Sequence, residues 1–483
     1  MKTLRYILMI STVVLAQSCL NDWLTLEPST SVETETSITG VSEVEFALNG
    51  IYDVMRNPYA YSGRLVYYGD VTGDDMMAQS TSKRSGSYYR FAYTKDNVPS
   101  THWSYLYTII QNCNSTLQSL NALTVSDSEK KTADDYRGQL LTIRAMAYFD
   151  LVKIFAYPYT KDNGASPGVP IVLGTSSISD KPGRSTVAEV YSQVIIKDLE
   201  EAIGCLSTSY NKGKINRFAA MGLLSRVYLY HNDNKKSFDM AAKAIADATA
   251  AGYKLWTNSE YPTAWKNDHS SSNKGEVLFE LVIPTDEGQG KETMGYLSSK
   301  DGYDDVQITV SFYHLLKEDP DDVRLKLLVN DGKKYMFVNK YQPQGDKIIQ
   351  DANIPLIRLS ELYLNAAEAA VKLGDNEGAV TYLDPIVRRA NPANTVSGTE
   401  VTLDRVLTER RKELVDEGHR MFDVIRNGLT VKRVNESDSM MSKTKHFASD
   451  MEYDWDFYKI ILPIPKYEMD ANPNLSGQQN PGY

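Results

Sequence analysis

Two stretches of the sequence each predict a pair of packed helices joined by a short polar turn. Residues 218–231 and 238–251 form the first pair, and residues 359–373 and 378–390 form the second, with alanine where the helices would touch. Residues 136–157 carry the same apolar periodicity. Each pair covers about 34 residues, a length typical of helical repeats that bury their shared face only when they stack.

Residues 404–428 predict a further helix of this scaffold. The apolar residues form a narrow stripe near helical spacing: Leu407, Leu414, Val415, Phe422 and Ile425. Charged residues three or four positions apart are spaced for surface ion pairs worth roughly 0.2–0.5 kcal/mol each: Arg410 with Glu413, Asp416 with Arg420, and Asp423 with Arg426. Gly418 is a weak helix former, so we expect a bend or a close backbone contact there.

Three motifs occur in order along the last third of the chain. They are the alanine-rich stretch 354–369, the run Glu-Arg-Arg-Lys-Glu-Leu at 409–414 with Glu-Gly-His-Arg-Met-Phe-Asp-Val-Ile-Arg-Asn-Gly at 417–428, and the ending 462–483. Together they resemble the SusD/RagB family of outer-membrane nutrient-binding lipoproteins. The resemblance implies a mainly α fold in which tetratricopeptide-like repeats form a scaffold, and irregular loop-rich regions bind the ligand.

The N-terminus has the features of a lipoprotein signal peptide. Lys2 and Arg5 precede an apolar run, residues 6–16, which is too short to span the roughly 30 Å hydrocarbon core. The run leads into Ala-Gln-Ser-Cys, so we expect residues 1–18 to be removed and Cys19 to be lipidated. Residues 19–40 would then form the anchor and tether, and residues 41–483 a single helical domain. An ordinary secretory peptide with an incidental cysteine is the alternative.

The net charge limits the binding partners that the protein can have, and the cysteine spacing limits the roles of its cysteines. The formal net charge is -10 and no polybasic run occurs, which argues against binding to nucleic acid and against electrostatic adhesion to anionic lipid. Cys113 and Cys205 lie outside any metal-binding spacing. We expect both to be buried thiols, with a disulfide as the alternative in an oxidising envelope.

Two less regular regions, residues 59–101 and 284–310, are the candidate ligand-binding parts of the chain. Both are rich in Gly, Ser, Asp and Tyr, and long loops inside a compact domain are often functional. Tyrosine rings offer apolar faces that suit sugar rings. The resemblance implies that glycan-binding members draw their aromatic platform from these two regions. The candidate ligand-binding residues are Asp74, Tyr88, Tyr89, Arg90, Tyr93, Asn97, Tyr296 and Tyr303.

The sequence contains no recognisable catalytic motif. Its six histidines are scattered, and neither a phosphate-binding glycine loop nor a Gly-x-Ser-x-Gly elbow is present. Asp74 and Asp75 are adjacent, whereas a glycosidase needs carboxyl groups on opposite sides of one bond. We therefore predict a protein that is not an enzyme and that needs neither a cofactor nor a metal.

The function that the resemblance implies is capture of an oligosaccharide at the cell surface. The implied partner is a SusC-like TonB-dependent transporter in the outer membrane, on which the protein would sit. Import of peptides by the same arrangement is the first alternative. A surface glycan hydrolase with its site in the loops is the second.

Overall fold

The computed structural model describes residues 38–99, 101–175, 180–285, 289–332, 335–441, 445–446 and 451–483. The predicted signal peptide, the lipidation site Cys19 and residues 20–37 of the tether lie outside the described residues. No helix among those described is long and apolar enough to cross a membrane.

Long helices run through the first part of the described chain. They and the shorter helices between them are α1 (Val41–Arg56), α2 (Arg64–Val71), α3 (Gly86–Tyr89), α4 (Thr101–Ala122), α5 (Lys130–Phe155), α6 (Tyr159–Asp162), α7 (Val187–Val190) and α8 (Ile196–Cys205). A π turn, Tyr191–Ile195, joins α7 to α8. The periodic stretch 136–157 falls almost wholly within α5, which packs against both α4 and α8.

The rest of the chain continues the helical scaffold. Its helices are α9 (Arg217–Tyr230), α10 (Asn234–Ala250), α11 (Tyr261–Ala264), α12 (Met294–Leu297), α13 (Val310–Lys317), α14 (Leu359–Lys372), α15 (Asn376–Ala390), α16 (Leu403–Leu414), α17 (Arg420–Arg426) and α18 (Lys466–Ala471). Both predicted helix pairs are present, α9 with α10 and α14 with α15. The mainly α fold is confirmed.

Each predicted polar turn contains an aspartate that caps the following helix. The Asp233 side chain accepts a hydrogen bond from the backbone N–H of Lys236, and the Asp375 side chain accepts one from that of Gly378. Such caps contribute about 1 kcal/mol each. Helix α10 packs on α14 as well as on α9, so the two pairs stack into one layered scaffold.

The stretch 404–428 forms two helices where the sequence predicted one. Asp416 and Gly418, between α16 and α17, adopt left-handed backbone conformations with φ of 66° and 81°. A Cβ atom on Gly418 would lie 2.5 Å from the carbonyl oxygen of Val66, so this position requires glycine. The close backbone contact predicted at Gly418 is confirmed.

The charges of this stretch are buried, which corrects the expectation of weak surface pairs. Asp423 does pair with Arg426, at 2.7 Å. Asp416 instead accepts a hydrogen bond from Ser298, because the left-handed turn directs it away from Arg420. Burial alone would raise the pKa of the Asp423 carboxyl group, but Arg410 and Arg426 outweigh it and lower the pKa to about 2.

Within the residues that the structure describes, four two-stranded antiparallel sheets lie between the helices. They pair β1 (Met76–Ala78) with β3 (Val306–Ile308), β2 (Val277–Leu281) with β6 (Ile354–Arg358), β4 (Leu328–Asn330) with β5 (Met336–Val338), and β7 (Val431–Arg433) with β8 (Met451–Tyr453). The first of these joins the two candidate ligand-binding regions, with Met76 opposite Ile308. The region 59–101 thus contains α2, β1 and α3, elements too short to give a periodic signal.

The two cysteines in the described residues are free thiols. Cys113 is buried in α4, and Cys205 at the end of α8 is half-buried. Burial raises the pKa of the Cys113 thiol above its usual range, which keeps this group protonated and unreactive. The disulfide alternative is therefore excluded by the structure.

Candidate ligand-binding site

The site is built where the β1–β3 pair continues into the turns on either side. The backbone N–H of Gln79 donates to the carbonyl oxygen of Asp305 at 2.9 Å, which extends the pairing by one step. The buried Asp305 carboxylate then accepts the backbone N–H groups of Arg84 and Ser85, each at 3.0 Å. One carboxylate of the second region thus fixes the turn of the first region that carries Arg84.

Two half-exposed tyrosine rings form the apolar part of the site. The centroids of Tyr296 and Tyr303 are 4.8 Å apart and their planes are nearly perpendicular, at 86°. A Cβ atom on Gly302 would lie 1.9 Å from the carbonyl oxygen of Tyr296, so glycine is needed for the turn that brings the rings together. We call Tyr296 and Tyr303 the ring pair.

Cations and carboxylates surround the ring pair. The Arg84 guanidinium carbon lies 3.9 Å from the centre of the Tyr303 ring, and the Lys291 ammonium lies 5.3 Å from that of Tyr296. Glu292 binds the Arg84 side chain, and Lys83 binds both the Asp304 carboxylate and the Tyr303 carbonyl oxygen. Hydrogen-bond donors and acceptors therefore stand beside apolar ring faces.

A second pair of half-exposed rings lies close to this site. The centroids of Tyr59 and Tyr105 are 6.1 Å apart, and the Arg64 guanidinium carbon is 4.1 Å from the Tyr59 ring centre. A Cβ atom on Gly63 would lie 2.6 Å from the carbonyl oxygen of Glu292, which shows how tightly the two regions meet. Sequence reasoning missed this pair, because Tyr105 falls in an apolar helical stretch that predicts core packing.

Three of the predicted tyrosines are buried, which contradicts their expected role as ligand platforms. Tyr88, Tyr89 and Tyr93 are each 1% exposed. Tyr89 stacks on His446 with ring centroids 5.7 Å apart, and the Tyr93 hydroxyl donates to the carbonyl oxygen of Lys459 at 2.6 Å. The C-terminal segment covers Tyr89 and Tyr93, whereas Tyr88 packs against Tyr68 and His102, and the sequence positions gave no sign of either cover.

Asp74 is also buried, and its carboxylate forms an ion pair. Its two carboxylate oxygens accept the Arg420 guanidinium at 2.5 and 2.9 Å. Burial would raise the pKa of this carboxyl group, but Arg420 and Arg411 outweigh it and hold the pKa below its usual range. Asp75 pairs with Arg411 at 2.6 Å. Asp74 is 3% exposed and Asp75 is 1% exposed, so neither carboxylate is accessible to a ligand, and the assignment of Asp74 to the site is corrected.

The remaining predicted residues are accessible. Tyr296 and Tyr303 are brought together as the ring pair, whereas Arg90 and Asn97 are exposed on the segment that follows α3. Arg90 donates to the carbonyl oxygen of Thr81 at 3.4 Å. Asn97 closes a tight turn with Thr94. Their role in binding stays a prediction.

The chain is a scaffold of stacked helices, and the segments between its helices display aromatic rings and cations. This arrangement is that of a binding protein. Comparison with known families supports this class at both ends of the chain. Residues 331–483 match the SusD family, and residues 22–229 match a family described as starch-binding and associating with the outer membrane.

Solved structures cover most of the chain. A protein from Bacteroides vulgatus, provisionally described as sugar-binding, is 62% identical and covers 93% of this chain and 100% of its own, with a TM-score of 0.91. A SusD superfamily protein from Bacteroides thetaiotaomicron is 34% identical, with coverage of 92% and 100% and a TM-score of 0.84. The starch-binding protein SusD of Bacteroides thetaiotaomicron is 29% identical over 32% of this chain and 26% of its own. This chain belongs to the SusD/RagB family.

Proposed function

We propose that this chain is a surface lipoprotein that captures oligosaccharides and delivers them to a SusC-like TonB-dependent outer-membrane transporter. The sugar-binding and starch-binding descriptions of its relatives support the ligand class. The description of the family matched by residues 22–229 supports association with the outer membrane. The protein binds its ligand without changing it.

The observation that carries the proposal is the ring pair with its surrounding charges. A sugar ring has apolar patches formed by its C–H groups and hydroxyl groups that need both donors and acceptors. Tyr296 and Tyr303 supply ring faces, and Arg84, Lys83 and Glu292 supply donors and acceptors beside them. Because the rings are only half-buried, we expect shallow binding with Kd values in the micromolar to millimolar range.

Attachment to the outer membrane follows from the N-terminal sequence. Residues 1–18 act as the signal peptide, and acylated Cys19 holds the protein through the tether, residues 19–40. Each buried methylene of a lipid chain contributes about 0.8 kcal/mol, so several chains give a lasting anchor. The formal net charge of -10 gives no electrostatic attraction to anionic lipid, so we do not expect charge to hold the protein at the membrane.

A binding role without catalysis is supported by the state of the acidic residues in the first region. Asp74 and Asp75 are both engaged by arginines. A glycosidase needs one carboxyl group free to donate a proton and a second one across the scissile bond. These two acids meet neither requirement.

The proposal is tested by isothermal titration calorimetry with neutral oligosaccharides, namely maltoheptaose, laminarihexaose, cellohexaose and xylohexaose. We expect the wild type to bind at least one of them, and Tyr296→Ala combined with Tyr303→Ala to weaken that binding at least tenfold. Phe46→Ala removes a ring that is 74% exposed on α1 and serves as the control. Binding of peptides with no binding of any glycan would instead establish the peptide alternative.

A further inference from the structure

A groove of about 580 Å³ lies between the N-terminal half of α4 and the C-terminal helix α18. None of its lining residues belongs to the ring pair or to the second ring pair, so it is a separate feature of the surface. Its volume falls in the range of about 300–1,000 Å³ that is typical of ligand pockets.

The floor of the groove is aromatic. The ring centroids of Trp103 and Tyr107 are 4.9 Å apart, with an angle of 45° between their planes. The Tyr107 hydroxyl donates to the carbonyl oxygen of Pro170 at 2.8 Å, which fixes its ring against the segment that forms the opposite wall. Trp103 is only 2% exposed and packs beneath Tyr107, so the half-buried Tyr107 ring is the aromatic surface that the floor presents.

The rim combines an exposed ring with a carboxylate. Tyr467, on α18, is 45% exposed, and its hydroxyl hydrogen-bonds with Ser104. The neighbouring Glu468 carboxyl group is hydrogen-bonded by the Trp103 side chain, and burial raises its pKa. Among the ring and cation contacts of the described residues, none involves Tyr467. One ring face therefore stands over the groove next to a hydrogen-bond acceptor.

The groove is rigid because α18 is tied to the rest of the chain. The Lys181 ammonium donates to the carbonyl oxygen of Ala471 at 2.5 Å. The Asn472 side chain donates to the carbonyl oxygen of Pro182 at 2.8 Å, and that of Asn474 donates to the carbonyl oxygen of Lys181 at 2.5 Å. A preformed groove loses little conformational entropy when a ligand binds.

We infer that this groove is a second binding site, which takes a short neutral oligosaccharide. The half-buried Tyr107 ring and the exposed Tyr467 ring suit the C–H patches of sugar rings, while sugar hydroxyl groups donate to Glu468 and exchange hydrogen bonds with Thr108 and Asn472. Glu468 and Asp180 line the groove together with one cation, Lys181, whose ammonium is already bound to the Ala471 carbonyl oxygen, so anionic ligands are disfavoured. The inference rests on the proposed function, and adds a site that lets one protein hold a long glycan at two points.

The number of bound oligosaccharides tests this inference. With the tightest binder among maltoheptaose, laminarihexaose, cellohexaose and xylohexaose, we expect calorimetry to give a stoichiometry of two for the wild type. Tyr467→Ala combined with Glu468→Gln should remove one site, and Tyr296→Ala combined with Tyr303→Ala should remove the other. Tyr467→Phe keeps the ring and should bind within threefold of the wild type.

The matched control is Asp470→Asn, on α18 but outside the groove lining, which should leave both sites intact. Thermal unfolding of each variant shows whether the fold is kept. A stoichiometry of one that disappears in the ring-pair variant would overturn the second site and leave the proposed function standing. Absence of binding to all four oligosaccharides would overturn both.

Discussion

Arg420 forms a bidentate ion pair with Asp74, a residue 346 positions earlier in the chain. Arg420 begins α17 and lies within the motif 409–428, one of the three that carry the family resemblance, and Asp74 lies in the first candidate ligand-binding region. The backbone N–H groups of Gly418 and Arg420 also donate to Asp70 in the same region. The motif 409–428 therefore holds in place Asp70 and Asp74, the part of the first candidate region that precedes β1.

Loss of this ion pair should destabilise the fold. Arg420→Ala leaves the buried Asp74 carboxylate without its principal partner, and breaking a buried pair in this way costs about 3–5 kcal/mol. Lys243→Ala is the control, because it breaks the exposed pair of Lys243 with Asp247 and should cost less than about 1 kcal/mol. Urea unfolding measures both changes. Equal changes in the free energy of unfolding would contradict the role assigned to Arg420.

Alanine should be tolerated much less at Gly418 than at Gly374. Both glycines have positive φ, 81° and 75°, but a Cβ atom on Gly418 would clash with Val66 whereas one on Gly374 meets nothing within 4 Å. Gly374→Ala should therefore cost only the backbone strain, about 1 kcal/mol. Gly418→Ala adds steric overlap and should lower the free energy of unfolding further. Equal midpoints in denaturant would show that the contact relaxes freely.

Substitutions of buried and exposed tyrosines should separate stability from ligand binding. Tyr303→Ala removes half of the ring pair, and one aromatic contact of about 0.5–1.5 kcal/mol predicts up to about a tenfold rise in Kd. Tyr89→Ala opens a cavity in the core and should cost roughly 3–5 kcal/mol of stability.

Calorimetry of oligosaccharide binding and thermal unfolding of both variants distinguish the two effects. At a temperature where Tyr89→Ala remains folded, we expect its Kd to match that of the wild type. A selective loss of affinity in Tyr89→Ala would place this ring in the site after all.

Ionisation of Asp70 should lower the stability of the protein as pH rises from about 4 to 7. Burial raises the pKa of this carboxyl group to about 7, despite the N–H groups of Gly418 and Arg420. The folded state then holds a proton that the unfolded state has released above its ordinary pKa of about 3.9, so stability present at low pH is lost as pH rises through 7. Asp70→Asn should reduce this slope when unfolding is followed in urea at pH 5.0 and pH 7.5. An unchanged slope would assign the pH dependence to other groups.

The anchor is tested by changing Cys19 to alanine. We expect the wild type to sediment with outer membranes and to remain there in high salt, because a lipid anchor does not depend on charge. Cys19→Ala should appear in the soluble fraction. Membrane retention of this variant in cells lacking the transporter partner would show that another segment holds the protein.

Local patterns in the sequence were enough to predict the helices of the scaffold. The two helix pairs, the helix 136–157 and the close contact at Gly418 all follow from residue spacing or from the lack of a side chain, which are properties of neighbouring positions. Composition also indicated two irregular regions, the family resemblance implied that they act together, and the β1–β3 pair joins them. The break between α16 and α17 escaped prediction, since an apolar stripe continues across it.

Tertiary structure alone decided which polar and aromatic side chains reach the surface. Tyr89 is covered by His446 and Asp74 is bound by Arg420, both more than 300 positions away, whereas Tyr59 and Tyr105 remain half-exposed. A tyrosine or aspartate has the same local pattern whether a distant segment covers it or not. Periodicity therefore determined the helices, while long-range packing determined which side chains could meet a ligand.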